Sequence, residues 1–142
     1  MVEEAKPRST AIVVAAVLFE GDRVLLTQRK RGSHLEGSWE FPGGKVEEDE
    51  DPQAALVREL REEVGIEARV GEVLDVTFYR YPKKNCLLLF YAVEREEGSP
   101  EPQALDVADV RWASLAELRD EDFPPADLSI LAKVRERLSS LR

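Results

Sequence analysis

The sequence predicts one layered α/β domain, with helices covering both faces of a single β-sheet. Three observations point to it. Apolar runs suited to strands recur from Thr10 to Ala113, two segments repeat their apolar residues at helical spacing, and no internal repeat or low-complexity tract divides the 142 residues.

Residues 1–8 are charged and aperiodic and read as a flexible tail, leaving 9–142 as the domain. Thr10 to Phe19 is a β-rich apolar run suited to a central strand. Glu20-Gly21-Asp22 supplies a tight turn into Arg23 to Gln28, where Val24, Leu25 and Leu26 continue a hairpin. Arg29 to Trp39 is rich in charge and glycine and reads as a loop. It leads into Glu40-Phe41-Pro42-Gly43-Gly44, where proline and paired glycines force a sharp change of direction.

Asp51 is placed to cap a helix that has Pro52 at its first position, runs to Val64 and stops at a left-handed Gly65. Leu56, Leu60 and Val64 form its core-facing stripe, and Glu59, Glu62 and Glu63 project from another face. Strands follow at Ala68 to Tyr79 and Cys86 to Glu94, joined by a hairpin turn at Tyr81 to Asn85. After a polar loop from Arg95 to Leu105, Val110 to Ala113 reads as a short strand and Ser114-Leu115-Ala116-Glu117 as a capping box. Leu128 to Leu141 is an amphipathic helix through Ile130, Leu131, Val134, Leu138 and Leu141.

A net charge of -9 and a pI near 4.8 argue against a surface that holds polymeric nucleic acid, which needs a basic footprint to displace counterions. A phosphate-bearing substrate then has to meet local cations or a metal. Cys86 is the only cysteine, so no internal disulfide forms, and its place beside Leu87, Leu88 and Leu89 predicts a buried thiol. That usage fits a reducing cytoplasm. Ala11 to Phe19 is too short to cross a bilayer, and Met1 to Arg8 lacks the pattern of a secretory signal, so the expectation is a soluble, unexported protein.

From Gly44 to Ile66 the chain reads Gly-x5-Glu-x7-Arg-Glu-Leu-x-Glu-Glu-x-Gly-Ile. Glu59, Glu62 and Glu63 stand at i, i+3 and i+4, where like charges repel by roughly 0.2–0.5 kcal/mol per pair. A divalent cation, magnesium or manganese, offsets that repulsion. The plain alternative is a solvated acidic face with an Arg58–Glu62 ion pair, but it leaves the fixed offsets to Gly44, Glu50 and Gly65 unexplained.

This string matches the defining box of the Nudix hydrolases without a departure, and the chain resembles that family from about Ala11 onward, most closely its MutT-type branch. Thr27-Gln28-Arg29, Trp39 to Lys45 and Phe123 to Asp127 carry the rest of the likeness. The resemblance implies a Nudix fold, an α/β/α sandwich around a mixed sheet. It implies a magnesium-dependent enzyme that splits a nucleoside triphosphate into a monophosphate and pyrophosphate, acting as monomer or homodimer.

By the same resemblance, Glu59, Glu62, Glu63 and the Gly43 carbonyl are metal ligands, Glu50 and Arg58 brace the loop and helix, and Glu62 or Glu63 activates the attacking water. Asp106, six positions before Trp112, corresponds to a later-loop acid that reaches the metal; the alternative is an ordinary loop residue. For the base, the resemblance points to Phe41 as a stacking surface, Arg29 and Lys84 near the nucleotide's edge or phosphates, and Asp127 as the hydrogen-bonding reader.

Residue 127 is asparagine in MutT proper. An amide donates and accepts, whereas an ionised carboxylate only accepts, so Asp127 favours base edges that offer donors unless burial keeps it protonated. An oxidised guanine nucleotide such as 8-oxo-dGTP and a cytosine nucleotide both fit; a helix-capping role for Asp127 is the structural alternative. A non-catalytic nucleotide sensor and an enzyme of another substrate class, such as a dinucleoside polyphosphate or a nucleotide sugar, are the competing functions. The complete set of box glutamates weighs against the first, and the Phe123 to Asp127 stretch against the second.

Overall fold

The computed structural model describes residues 7–141. Its order is β1 (Thr10–Glu20), β2 (Arg23–Gln28), β3 (Trp39–Glu40), β4 (Gly43–Lys45), α1 (Pro52–Val64), β5 (Ala68–Arg80), β6 (Asn85–Arg95), β7 (Asp109–Ser114) and α2 (Leu128–Ser139). β1 is the pivot. It runs parallel to β6 from Thr10 to Leu18, antiparallel to β4 through Val13 to Ala15, and antiparallel to β2 at Phe19 and Glu20. The sheet is therefore mixed, with β5 beside β6 and with β3 and β7 beside β2.

Strand alternation sends successive β1 side chains to opposite faces, and each face meets one helix. Val14, Ala16 and Leu18 pack with Leu56, Leu60 and Val64 of α1. Ala15 and Val17 share the other core with Ile130, Leu131, Val134 and Leu138 of α2. The two apolar stripes of the helices thus close a sandwich with the sheet as its middle layer. Cys86 is free and buried in the α2-side core.

Several local readings change. The Trp39–Lys45 stretch is not only loop and turn: it holds two short strands, because its backbone is paired to β2 on one side and β1 on the other. The Ser114 box closes a single 3-10 turn over Leu115–Glu117, in which the Glu117 carboxylate accepts from the Ser114 amide at 2.9 Å. Leu141 lies past the end of α2 and is 52% exposed, so it leaves the apolar stripe to which it was assigned. Of the tail, residues 1–6 lie outside the described residues. Arg8 is tied down: its guanidinium donates to the Tyr81 and Pro82 carbonyls at 2.7 and 3.3 Å.

α1 starts and stops as its sequence dictates. The Asp51 carboxylate accepts from the Gln53 amide at 2.8 Å, and Gly65 takes φ 72° at the C-cap.

Candidate active site

Gly43 and Gly44 begin β4, and both are glycine because two other groups need the space of a side chain. A Cβ on Gly43 would stand 1.9 Å from the Val14 carbonyl oxygen on β1, and one on Gly44 would stand 2.4–2.6 Å from the carboxylate atoms of Glu59. Pairing of β4 with β1 demands the first glycine. The second lets the backbone touch a helix carboxylate directly, so strand and helix present one surface.

Arg58 organises the acids around that surface. Its guanidinium donates to Glu50 at 2.8 and 3.0 Å, to Glu59 at 3.0 Å, to Glu62 at 3.2 Å and to the Lys45 carbonyl at 3.2 Å. These bonds, with the Glu47 backbone, hold the Glu50 carboxyl down to about 2, and the same acids raise the Arg58 guanidinium above its ordinary value. Glu50 and Arg58 thus brace the loop before α1 against the helix.

Glu59 and Glu63 are pushed the other way. Burial raises Glu59, partly opposed by Arg58. Burial pushes Glu63 up to about 8, helped by the charges of Glu59, Glu40 and Asp106 and opposed by a backbone hydrogen bond with Gly43. Negative charge is concentrated here beyond what Arg58 neutralises.

A divalent cation fits this donor set, because hard cations take carboxylate and carbonyl oxygen and magnesium leaves positions for water and substrate phosphate. Among the described residues no three acidic, histidine or cysteine side chains converge into a closed cage. Glu59 and Glu62 turn instead to Arg58. The arrangement is an open acidic surface, not a preformed chelate.

Next to it lies a cavity of about 670 Å³ lined by Arg29, Glu40, Phe41, Tyr81, Lys84 and Asp127, with Gly43 and Gly44 of β4 in its wall. Asp127 is 5% exposed, and burial, reinforced by the charge of Glu40 and opposed by Arg29, pushes its carboxyl up to about 7. Its side chain makes no capping hydrogen bond to α2, which removes the simple capping account. Arg29 donates to Glu40 at 3.0 Å and to the His34 carbonyl at 3.2 Å, so it stands at the cavity already paired.

Phe41 is only 3% exposed. Its ring packs between Phe90 and Phe123, at centroid distances of 6.2 and 5.9 Å, so it forms cavity floor instead of an open stacking platform. Lys84 sits exposed at the rim, in the turn between β5 and β6.

Asp106 is brought beside the cluster by its amide, which donates to the Glu63 carbonyl at 3.1 Å, while its carboxylate is ion-paired with Lys30. The fold therefore gathers the box acids, Gly43 and Asp106 at one end and Arg29, Phe41, Lys84 and Asp127 at the other. Three contributors were missed from the sequence: Glu40, which faces both ends; Tyr81, stacked edge-on with His34 at 5.4 Å; and Lys30. Glu40 lies inside the Trp39 to Lys45 stretch, but its local sequence carries no mark of the distant Glu63 and Asp127 that it faces.

The Nudix domain profile matches residues 9–134. The chain is similar to the 8-oxo-dGTP diphosphatase of Escherichia coli strain K12, at 38% identity over 87% of this chain and 95% of that protein. It is similar to the CTP pyrophosphohydrolase of the same organism, at 40% identity over 84% of this chain and 87% of that protein. Among solved structures it is similar to the MutT Nudix hydrolase of Burkholderia pseudomallei, with a TM-score of 0.78, 25% identity and coverage of 89% of this chain and 98% of that one. A complete box on an α/β/α sandwich, a domain match along most of the chain and relatives of this similarity lead to one conclusion: the protein belongs to the Nudix hydrolase family and is a pyrophosphohydrolase.

Proposed function

We propose that the enzyme hydrolyses a nucleoside triphosphate to the monophosphate and pyrophosphate, with 8-oxo-dGTP its preferred substrate, and so clears oxidised nucleotides from the cytoplasmic pool. The observation that carries the reading is the juxtaposition of a cavity lined by Asp127 with the glycines of β4 and the acidic face of α1. One ligand spanning both ends is a nucleotide with its polyphosphate on the acids. Residues 9–142 act in this reading as one domain, as monomer or homodimer. Among the described residues no helix is long and apolar enough to cross a membrane.

Nudix hydrolases generally need a divalent metal, and magnesium is the ion proposed here, with manganese a substitute. Glu59, Glu62, Glu63 and the Gly43 carbonyl would hold it, with Asp106 reaching it through water. When bound, it neutralises phosphate charge and orients nucleophile and leaving group. The rest falls to the chain. Glu62 or Glu63 takes the proton of the attacking water, whose oxygen bonds to a phosphorus of the triphosphate chain, and the bridge between the future monophosphate and pyrophosphate breaks with its electron pair on the group that departs. Glu63 is half-buried beside Gly43, and Glu62 is the more exposed of the two.

The Asp127 carboxyl near 7 supports the purine preference. Protonated, it donates one hydrogen bond and accepts another, which imitates the asparagine of MutT proper and suits a guanine edge presenting N1–H beside a carbonyl. Ionised, it accepts from the exocyclic amine of cytosine, and the likeness to a CTP pyrophosphohydrolase favours that second reading.

Rates of pyrophosphate release from 8-oxo-dGTP, dGTP, CTP and a nucleotide sugar test the assignment. The expected order puts 8-oxo-dGTP first. CTP first would install the second reading, and the nucleotide sugar first would overturn both.

A further inference from the structure

The even-numbered side chains Cys86, Leu88 and Phe90 of β6 all join the α2-side core, and the first of them is the chain's only cysteine. Cys86 stands opposite Ala11 of β1 and Tyr79 of β5, one row before the Leu88–Val13 pair and two before the Phe90–Ala15 pair. Its thiol is free, and the residue lines the cavity of about 670 Å³ together with Val13, Ala15, Leu88 and Phe90. A second observation marks this cavity as a place that receives a ligand. Asp127 lines it, is 5% exposed and makes no capping hydrogen bond to α2, so a buried carboxyl faces the same space without a partner among the described residues. A buried polar group left in that state carries a free-energy cost that a bound ligand offsets.

We propose that Cys86 is a covalent modification site inside the substrate cavity, taken by small uncharged Michael acceptors, and that the adduct occupies the place of the base. The sulfur bonds to the β-carbon of the acceptor's alkene, the alkene electron pair moves to the α-carbon, and the thiol proton ends there. Nothing leaves and no oxidant is needed. The inference rests on the reading above that this cavity holds the base, so that adduct and nucleotide exclude one another.

The surroundings of the sulfur set the chemistry. Val13, Ala15, Leu88 and Phe90 are apolar, so the wall beside the thiol favours a small uncharged molecule over an ion. Burial raises the Cys86 thiol above its ordinary value, Lys84 and Arg29 oppose that rise, and Asp127 adds to it. The attacking form is the thiolate, so modification proceeds faster as pH rises. Sulfur is soft and polarisable, which suits it to an alkene carbon.

The test treats wild type, Cys86→Ala and Cys86→Ser with N-ethylmaleimide or with a maleimide bearing a bulky dye, in the presence and absence of 8-oxo-dGMP or CMP, and follows protein mass and pyrophosphate release. The folded wild type is expected to take one N-ethylmaleimide on Cys86 and to lose activity in step with the adduct, while each variant keeps after treatment the activity it had before. A nucleotide at about ten times its Kd should slow labelling about tenfold. The bulky reagent should lag by about tenfold or more relative to its performance on the denatured chain, because the cavity and not an unfolded state admits the reagent. No adduct on the folded protein, or the two reagents reacting in the ratio they show on the denatured chain, overturns the inference and leaves Cys86 a sealed core thiol. An adduct with full activity, or labelling that neither nucleotide slows in a wild type that does hydrolyse triphosphate, overturns the placement of Cys86 at the base alone. A wild type that hydrolyses no triphosphate overturns the substrate reading and this inference with it.

Discussion

Gly44 is the residue on which strand and helix depend together, because its missing side chain is what lets Glu59 lie against the backbone. Gly44→Ala should leave the fold largely intact, since the obstructing atoms belong to a side chain that can swing aside, yet displace Glu59 and cut kcat by about tenfold or more, as a misplaced ligand does. Steady-state rates beside a thermal melt check this; full activity would mean the contact is incidental. Gly43 differs in kind, since a Cβ there meets the backbone of β1, which cannot yield.

Asp127 makes a second case at the same scale. Its carboxyl titrates near 7 in the folded protein and has an ordinary value of 3.8, so between about pH 4 and 7 the folded state holds a proton that the unfolded chain has released. Stability is lost as pH rises through that window. Asp127→Asn removes this part of the dependence, and denaturant melts from pH 4 to 8 should show a shallower decline than wild type. An equal slope would deny the buried acid its shifted titration. The same variant should alter the preference between 8-oxo-dGTP and CTP more than the rate on both; equal losses on every substrate would assign Asp127 a structural task.

At the scale of elements, α1 is asked to do two things on two faces. Leu56, Leu60 and Val64 are fully buried against the sheet, while Glu59 and Glu62 meet Arg58 and Glu63 hydrogen-bonds with the Gly43 backbone. Leu60→Ala should cost about 2–5 kcal/mol of stability, through lost burial and the cavity left behind, with kcat little changed in the protein that remains folded. Denaturant titration with rates normalised to folded protein separates the two effects. A large fall in kcat without loss of stability would show that the faces are not independent.

This element was legible because its information is local: cap, spacing and glycine stop all lie within its own sequence. The strands were legible for the same reason, from Thr10 to Phe19 and from Cys86 to Glu94, within a residue of their ends in the fold. What the sequence hid is set by neighbours distant along the chain. β3 and β4 are too short to carry a pattern and exist only because β2 and β1 pair with them. Phe41 reads equally as core or platform until Phe90 and Phe123 enclose it. Lys30 looks like one solvated cation among several until the loop bearing Asp106 closes on α1. Leu141 fits the helical spacing but lies where α2 has already ended.

Over the whole molecule, a net charge of -9 opposes the approach of any polyanion, so substrate capture depends on charges concentrated at one place. The mixed sheet provides that place. β1 changes partner from β4 to β2 along its length, and the segment that crosses between them, fixed by the Ala16 amide donating to the Pro42 carbonyl at 2.8 Å, carries the glycines of β4 to α1 and Phe41 to the cavity. Arg29 and Lys84 then border the cavity, and the acids of α1 stand beside it. Those acids, acting with a divalent ion, are proposed to cleave the polyphosphate. Glu63→Gln keeps shape and removes one charge, so pyrophosphate release from 8-oxo-dGTP, followed with and without magnesium in the two proteins, tests it most directly. Release by the wild type that requires magnesium, lowered about 10²- to 10⁴-fold in the variant at an unchanged melting temperature, is the predicted result; release that is indifferent to magnesium, or equal in the two proteins, would contradict it.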